Sequence, residues 1–216
     1  MNTPPDMVIF DCDGVLVDSE MITNRVIQEN LKRHDLLLEL DEIMHLFVGG
    51  TMQGVMDLSR EMGATLPDDW LDHIYSEMHA VLAKEVEPVK GAVAVLDALD
   101  AAGIPYAIGS NGLHSKMAVT LPKTGLLERF TGRVFSREDV ANPKPAPDVY
   151  LLAASRAGIA PDRCVVVEDS ASGAKAGVAA GMTTFGFYGE TPRERLEPIC
   201  NAVFGDMSEL PALLGM

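Results

Sequence analysis

Short, unbroken apolar runs recur along the chain, and most are followed by a stretch whose apolar residues have helical spacing. The runs predict strands near residues 8–10, 104–108, 133–135, 163–167 and 183–187. The helical stretches after them include residues 92–102, 115–124, 149–157 and 171–180. Non-alternating apolar strands interleaved with helices are typical of a parallel sheet covered on both faces. The pattern therefore predicts an α/β fold with a doubly wound parallel sheet.

One long segment lacks this alternation. From about residue 36 to residue 85 the spacing is helical throughout, with helices predicted at 39–47, 51–62 and 68–84. Another helix follows the first strand, and Asp18 is a suitable N-cap residue for it. A helical block placed after the first strand predicts an inserted domain. We expect an all-helical cap domain at residues 17–87 and a core domain formed by residues 1–16 and 88–216.

Polar residues follow three of the predicted strands at the point where each strand ends. They are Asp11 and Asp13, then Ser110 and Asn111, then Glu168 and Asp169. Lys144 stands in a loop between two prolines, which restrict its backbone. Ligands of open α/β sheets bind beyond the carboxyl ends of the strands. We therefore expect these side chains to converge at one edge of the sheet.

The spacing of Asp11 and Asp13 places both carboxylates on one side of an extended backbone, and Gly14 then permits a sharp turn. Two carboxylates so close repel each other unless a cation lies between them or one is protonated. One interpretation is a Mg²⁺ site with a nucleophile beside an acid/base. The alternative is a solvated turn between a strand and a helix.

The complete set of residues suits phosphoryl transfer through an aspartyl phosphate. Such a reaction needs a carboxylate nucleophile, an acid/base, hydroxyl and ammonium donors for the phosphoryl oxygens, and carboxylates for a metal. Each piece alone has a simpler interpretation. Lys144 would be a loop lysine, Glu168 and Asp169 a helix-capping pair, and Ser110 and Asn111 a strand-end turn. Only their convergence distinguishes the two interpretations.

Composition and net charge limit the classes of molecule that the protein is expected to bind. The 216 residues are 47% hydrophobic, enough for a packed core, and the formal net charge is −15. That charge excludes nucleic acid and anionic membranes as expected partners, because no basic stripe offsets it. We expect no membrane span, a cytoplasmic protein that is a monomer or weak dimer, and reduced cysteines at Cys12, Cys164 and Cys200. A small anionic substrate remains possible where a bound cation and basic side chains create a local positive site.

The chain resembles the haloacid dehalogenase superfamily, whose four motifs are matched in order along nearly its full length. The matching segments are Asp11-Cys12-Asp13-Gly14-Val15, Ser110-Asn111, Lys144-Pro145 and Glu168-Asp169. The resemblance implies a Rossmann-like core in which Asp11 attacks phosphorus and Asp13 serves as acid and then base. It also implies that Ser110 and Lys144 hold the phosphoryl oxygens. Mg²⁺ would bind the Asp11 carboxylate, the Asp13 carbonyl and Asp169, with Glu168 a ligand or a partner of the ligands.

Other activities of that superfamily fit less well. Dehalogenases lack the second motif aspartate, present here as Asp13. Phosphonoacetaldehyde hydrolases need a cap lysine, for which only Lys32 stands in the first cap helix, near its end. The runner-up is a β-phosphoglucomutase-like phosphotransferase. Mutases carry cations where this chain has Val48 and Met52, a histidine where it has Thr23, and a lysine after the second motif that is absent here at that spacing. A non-catalytic, haloacid dehalogenase-like binding domain is the third alternative.

The substrate is expected to be a small phosphorylated metabolite. Two segments look like the sugar-phosphate and 6-phosphogluconate phosphatase branch of the superfamily: residues 11–20 and the run Ser110-Asn111-Gly112 with Lys116-Met117. This resemblance implies hydrolysis of a phosphorylated sugar or sugar acid. Ser110 and Lys144 are then the expected phosphate-binding residues, and Asn111 is expected to bind the substrate as well. His114 and Lys116 are expected to touch the far end of the substrate.

Overall fold

The computed structural model describes residues 3–47 and 51–216, and the chain divides into two compact units. The first unit contains the residues up to Asp18 and Glu87–Met216. Its strands are β1 (Met7–Phe10), β2 (Val17–Asp18), β3 (Glu87–Pro88), β4 (Tyr106–Ser110), β5 (Val134–Ser136), β6 (Cys164–Glu168), β7 (Thr183–Phe187) and β8 (Ala202–Phe204). Its helices are α5 (Ala92–Ala102), α6 (His114–Lys123), α7 (Asp148–Ala157), α8 (Ala171–Ala179), α9 (Arg193–Leu196) and α10 (Leu210–Leu213).

Among the described residues, six strands form one sheet in the order β5-β4-β1-β6-β7-β8, and all neighbouring pairs are parallel. Strand β1 is fully buried and lies between β4 and β6. The chain adds β4 and β5 on one side of β1 and then β6, β7 and β8 on the other, so the sheet is doubly wound. The predicted α/β fold class is confirmed. The strand order reverses beside β1, which is where open α/β sheets form a ligand-binding crevice.

The strands are apolar throughout because helices cover them. Residues of β1 and β6, such as Ile9 and Val166, share one buried cluster with Tyr150 and Ala153 of α7 and with Ala176 of α8. In this environment an alternating polar side chain would be buried without a partner. The three cysteines are free, with Cys12 and Cys164 buried and Cys200 partly exposed. Within the described part of the chain, no helix combines the length and the apolar composition needed to cross a bilayer.

A short antiparallel ladder joins β2 to β3, with Val17 opposite Pro88 and Asp18 opposite Glu87. The sequence analysis missed it because two-residue strands carry no readable period. Its presence overturns one expectation: Asp18 does not cap the first helix. Ser19 occupies the N-cap position instead, without a side-chain capping hydrogen bond.

The second unit, Ser19–Val86, is helical. Its helices are α1 (Glu20–Arg33), α2 (Leu40–Phe47), α3 (Met52–Glu61) and α4 (Trp70–Glu85). The fully buried Trp70 donates its indole N–H to Asn30 at 2.7 Å, and Asn30 donates to Glu77 at 2.9 Å, so α1 and α4 share a satisfied polar contact. That this unit acts as a cap stays a prediction. Val48, part of the reasoning against a mutase, lies outside the described residues.

Candidate active site

Asp11 follows β1 directly, at the carboxyl end of the central strand. Its side chain is buried, and Oδ1 accepts a hydrogen bond from Lys144 Nζ at 2.7 Å. Burial raises the pKa of Asp11 to about 7, and the nearby carboxylates of Glu168 and Asp13 add to the rise while the Lys144 ammonium opposes it. The Lys144 ammonium alone therefore does not offset the effect of burial on the Asp11 pKa, and additional positive charge near Asp11 would favour its ionised form.

Lys144 reaches this carboxylate from a loop that Asn111 fixes in place. The Asn111 side chain accepts from the Lys144 N–H at 2.9 Å and donates to the Lys144 carbonyl at 3.2 Å. The buried ammonium also donates to Glu168 Oε1 at 2.6 Å and lies 4.7 Å from the centre of the Tyr150 ring. Burial disfavours the ammonium, but Asp11 and Glu168 outweigh that effect and raise the pKa of Lys144. Asn111, expected to bind the substrate, holds the Lys144 backbone.

Glu168 ends β6 and is fully buried. Its Oε1 accepts from Lys144 Nζ at 2.6 Å and from the Tyr150 hydroxyl at 2.7 Å. Its Oε2 accepts from the Ser170 N–H at 3.0 Å and from the Ser170 hydroxyl at 2.9 Å. These four bonds occupy about the four acceptor positions of a carboxylate. A Cβ at Gly173 would lie 1.6 Å from Oε1, so α8 can lie beside Glu168 only because residue 173 is glycine.

Asp169 completes a group of three acidic residues. Asp11, Glu168 and Asp169 each offer a carboxylate oxygen, these oxygens lie within 4.8 Å of one another, and all three residues are buried. Gly14 makes room for Asp169, because a Cβ at Gly14 would lie 2.0 Å from Asp169 Oδ2. Gly14 also has a φ of +75°, a left-handed conformation that suits glycine.

Ser110 is the last residue of β4, the strand next to β1, and it lies opposite Ser136 of β5. Its Oγ accepts from the Gly112 N–H at 2.9 Å, while Ser136 donates to the Gly112 carbonyl at 2.7 Å, so the turn after β4 is fixed. A Cβ at Gly112 would lie 3.2 Å from Ser110 Oγ and 3.3 Å from Asp13 Oδ2. Ser110 and the Asp13 carboxylate therefore both lie against the same turn.

Asp13 forms an ion pair with Lys116 of α6. Lys116 Nζ lies 2.7 Å from Asp13 Oδ1, and the two side chains are only 17% and 19% exposed. Lys116 was expected to touch the far end of a substrate, and in the structure its ammonium contacts Asp13.

His114, the other residue assigned to the far end, lies among different acids. Its N–H donates to Glu138 Oε2 at 2.6 Å, and its Nε2 lies 2.8 Å from Asp139 Oδ2. The structure thus brings four of the predicted residues close together: Asp11, Asp169, Glu168 and Lys144. Asp13 and Ser110 lie against the turn after β4, and Lys116 of α6 contacts Asp13. Tyr150, Ser170 and Gly173 also contact or border this cluster, and the sequence analysis missed all three.

Comparisons with known proteins show which family the chain is similar to. Residues 5–181 match the model of a family described as haloacid dehalogenase-like hydrolase. The chain is 32% identical over 210 residues to 6-phosphogluconate phosphatase of Escherichia coli K12, covering 96% of this chain and 94% of that protein. It is 33% identical over 195 residues to hexitol phosphatase A of the same organism, covering 88% and 87%. The fold is also similar to the crystal structure of a haloacid dehalogenase family hydrolase from Deinococcus radiodurans with bound phosphate and sodium. The two sequences are 37% identical, and the structures superpose with a TM-score of 0.85 over 99% of this chain and 96% of that one.

Proposed function

The chain belongs to the haloacid dehalogenase-like hydrolases, and from that premise we propose a Mg²⁺-dependent phosphatase that hydrolyses small sugar phosphates through an aspartyl phosphate. The observation that carries the proposal is the convergence of a buried carboxylate, Asp11, with the Lys144 ammonium and with Asp169 at the carboxyl edge of the sheet. A carboxylate nucleophile, a cation for phosphoryl oxygens and a metal-binding acid are the parts that the reaction needs.

The first half-reaction transfers the phosphoryl group to the enzyme. An Asp11 oxygen bonds to phosphorus as the bond from phosphorus to the sugar oxygen breaks. Asp13, as a carboxylic acid, donates its proton to that oxygen, so the sugar leaves as a neutral alcohol. Proton donation matters here because an alkoxide is a poor leaving group.

The second half-reaction returns the enzyme to its starting state. The Asp13 carboxylate takes a proton from water while the water oxygen bonds to phosphorus and the bond to Asp11 breaks. Inorganic phosphate leaves, Asp11 is again a carboxylate and Asp13 is again protonated. Lys144 and Ser110 hold the phosphoryl oxygens in both steps, and Lys144 opposes protonation of the nucleophile.

Two observations fit a divalent cation beside these residues. Three buried carboxylates lie within 4.8 Å of one another, and the single Lys144 ammonium between Asp11 and Glu168 leaves this group with an excess of negative charge that a divalent cation would offset. Gly14 leaves the space that the Asp169 carboxylate occupies. Oxygen ligands are those that Mg²⁺ prefers, and the Asp11 and Asp169 carboxylates and the Asp13 carbonyl would supply them. When bound, Mg²⁺ would draw negative charge from the phosphoryl oxygens.

Glu168 has a different role in this proposal. Because its two oxygens already accept four hydrogen bonds, it acts through Lys144 rather than as a metal ligand. The Lys144 ammonium lies between the two carboxylates, with Nζ 2.7 Å from Asp11 Oδ1 and 2.6 Å from Glu168 Oε1. A lysine held this way is pre-positioned for a phosphoryl oxygen, which lowers the cost of ordering it during the reaction.

The substrate class rests on the relatives. Two of them, similar over most of their own length, are named for 6-phosphogluconate and for hexitol phosphates. The mutase alternative needs further cations for a second phosphate, and Met52 and Thr23 supply none where that family carries them.

A panel of phosphate monoesters tests the proposal. The purified protein is incubated with Mg²⁺ and 6-phosphogluconate, a hexitol phosphate, glucose 1-phosphate or a nucleotide, and inorganic phosphate is measured while NMR follows the sugar. We expect phosphate release that favours a sugar or sugar-acid phosphate. Conversion of glucose 1-phosphate to glucose 6-phosphate without phosphate release would replace the proposal with a mutase. No reaction with any ester would favour a binding domain.

A further inference from the structure

The side chain of Tyr150 contacts two charged groups of the candidate site at once. Its hydroxyl donates to Glu168 Oε1 at 2.7 Å, and Lys144 Nζ lies over its ring, 4.7 Å from the ring centre. The same carboxylate oxygen accepts from Lys144 Nζ at 2.6 Å. Tyr150, Glu168 and Lys144 therefore each contact the other two, and all three residues are buried.

The Tyr150 ring is held in place by the core of the α/β unit. Helix α7 carries the ring into the buried cluster that contains Ile9 and Val166. Strand β4 leaves room for it at Gly109, where a Cβ would lie 2.9 Å from Tyr150 Cδ1. A glycine weakens the interior of a strand and often marks a place where another group approaches closely. Packing therefore fixes the position of the hydroxyl independently of the charges that it contacts.

Core packing accounts for the ring of Tyr150 but not for its hydroxyl. A phenylalanine of nearly the same shape would fill the same space without the cost of removing a polar group from water. Glu168 Oε1 would still accept a hydrogen bond from Lys144. The hydroxyl adds a second, uncharged donor to that oxygen, and this donor belongs to a closely packed side chain. It thus fixes the carboxylate oxygen to which the flexible lysine is bonded.

The hold on Lys144 matters most when Asp11 reacts. In the resting site, Lys144 Nζ lies between Asp11 Oδ1 and Glu168 Oε1. In the proposed first half-reaction an Asp11 oxygen bonds to phosphorus, and the negative charge of that carboxylate is lost. Glu168 and the Tyr150 ring then hold the ammonium while it donates to a phosphoryl oxygen. A lysine that is already ordered avoids a loss of conformational freedom at this step.

We infer that Tyr150 is a positioning residue for the proposed reaction: it bonds Glu168 with its hydroxyl and faces the Lys144 ammonium with its ring, and so keeps Lys144 in place for a phosphoryl oxygen. This inference rests on the proposed function. The attraction between an ammonium and the face of an aromatic ring supports the role. Tyr150 acts on the phosphoryl group only through Lys144.

Tyr106 provides a matched control in the same unit. It begins β4, at the opposite end of the strand from Ser110, and it is buried. Its hydroxyl donates to Asp100 Oδ1 at 3.0 Å, and Arg133 Cζ lies 4.9 Å from its ring centre. Tyr106 thus combines a carboxylate at its hydroxyl with a cation at its ring, as Tyr150 does, but away from the carboxyl edge of the sheet.

The experiment compares Tyr150→Phe with Tyr106→Phe, at a temperature at which thermal unfolding shows every variant to be folded. Inorganic phosphate is titrated calorimetrically into protein saturated with Mg²⁺, and Mg²⁺ is titrated without phosphate. For Tyr150→Phe we expect kcat/KM on a phosphate monoester to fall about tenfold or more, and the Kd for phosphate to rise about fivefold or more.

Two quantities should stay close to those of the wild type. The Kd of Tyr150→Phe for Mg²⁺ should change by less than about twofold, because the hydroxyl bonds Glu168, which is not a metal ligand in the proposed function. Tyr106→Phe should keep kcat/KM and both dissociation constants within about twofold, because Tyr106 is remote from the reacting groups.

A double-mutant cycle tests whether Tyr150 acts through Lys144. Lys144→Met removes the ammonium and should weaken phosphate binding by itself. Adding Tyr150→Phe should then raise the Kd for phosphate by less than about twofold more, because the group that Tyr150 positions is already absent. The two tyrosine variants decide the question even where Lys144→Met does not fold.

Three results would overturn the inference. Wild-type values in Tyr150→Phe, or equal losses in the two tyrosine variants, would show that the Tyr150 hydroxyl has no special part in holding Lys144. A loss of Mg²⁺ affinity as large as the loss of phosphate affinity would show that Tyr150 supports the whole site. An undiminished effect of Tyr150→Phe in the Lys144→Met background would show that it acts by another route. Failure of the proposed function is distinct, since the wild-type protein would then release phosphate from none of the esters.

Discussion

The substitution Gly14→Ala tests the proposed metal site without replacing any proposed metal-binding side chain. Gly14 has a φ of +75°, and a Cβ there would lie 2.0 Å from Asp169 Oδ2. Ordinary contacts between a carbon and another heavy atom need about 3.5 Å, so the Asp169 carboxylate must retreat by more than about 1 Å. Mg²⁺ demands near-ideal geometry and tolerates such a displacement poorly.

Alanine in a left-handed conformation carries its own cost, and Gly181 separates that cost from the clash. Gly181 also has a φ of +75°, but a Cβ there would meet nothing within 4 Å. Gly181→Ala should lose about 1–2 kcal/mol of unfolding free energy, and Gly14→Ala should lose at least as much because it adds the clash with Asp169. For a chain of this size, 1 kcal/mol corresponds to a Tm lower by about 2–4 °C.

Calorimetric titration with Mg²⁺ gives the decisive comparison, since it does not depend on turnover. We expect Gly14→Ala to weaken Mg²⁺ binding by about 10- to 100-fold, as changes to the groups that hold metal ligands in place typically do, while Gly181→Ala binds like the wild type. Phosphatase activity should follow the same order when assayed across Mg²⁺ concentrations. Equal Mg²⁺ affinity in the two variants would refute the assignment of Asp169 as a ligand.

Three other substitutions address the remaining groups. Asp11→Asn should abolish phosphate release while the far-UV circular dichroism spectrum stays unchanged, because the amide keeps the shape but cannot attack phosphorus; near-parental activity would contradict the covalent mechanism. Asp169→Ala should strongly reduce activity, and chelator should abolish that of the wild type; full activity in excess chelator would remove the metal from the mechanism. Tyr150→Phe removes a donor to buried Glu168 and should destabilise the fold by about 1–3 kcal/mol in denaturant unfolding; unchanged stability would mean that the hydrogen bond is not needed.

The acidic residues at the carboxyl edge of the sheet could be predicted because they directly follow predicted strands. Asp11 and Asp169 each follow a buried apolar run, and parallel strands bring their carboxyl ends to one edge. Gly14 could be predicted as a turn residue from its place after two aspartates. Its closeness to Asp169, 155 positions later in the chain, is a tertiary contact that no local pattern contains.

The residues that hold the reactive side chains in place, Tyr150 and Asn111, could not be predicted because their contacts too are between positions far apart in the chain. Tyr150 stands among apolar residues of α7, where an aromatic side chain indicates core packing, and only the fold places its hydroxyl on Glu168. Asn111 is predicted from the sequence to bind the substrate, and only the fold shows that its side-chain amide bonds both the N–H and the carbonyl of Lys144, 33 residues away. A polar residue that neighbours a reactive one in sequence can thus position another active-site residue.

The net charge of the candidate site links metal binding to substrate binding. The described cluster contains four carboxylates and two ammonium groups: Asp11, Asp13, Glu168 and Asp169, with Lys144 and Lys116. Fully ionised, these groups sum to a charge of −2, on a chain whose formal net charge is −15. A phosphate dianion approaching that cluster is repelled, and both ammonium groups are already paired with acids. A bound divalent cation brings the sum to zero and leaves Lys144 able to turn from Asp11 toward a phosphoryl oxygen. Metal binding and substrate binding should therefore be thermodynamically coupled, each raising the affinity for the other.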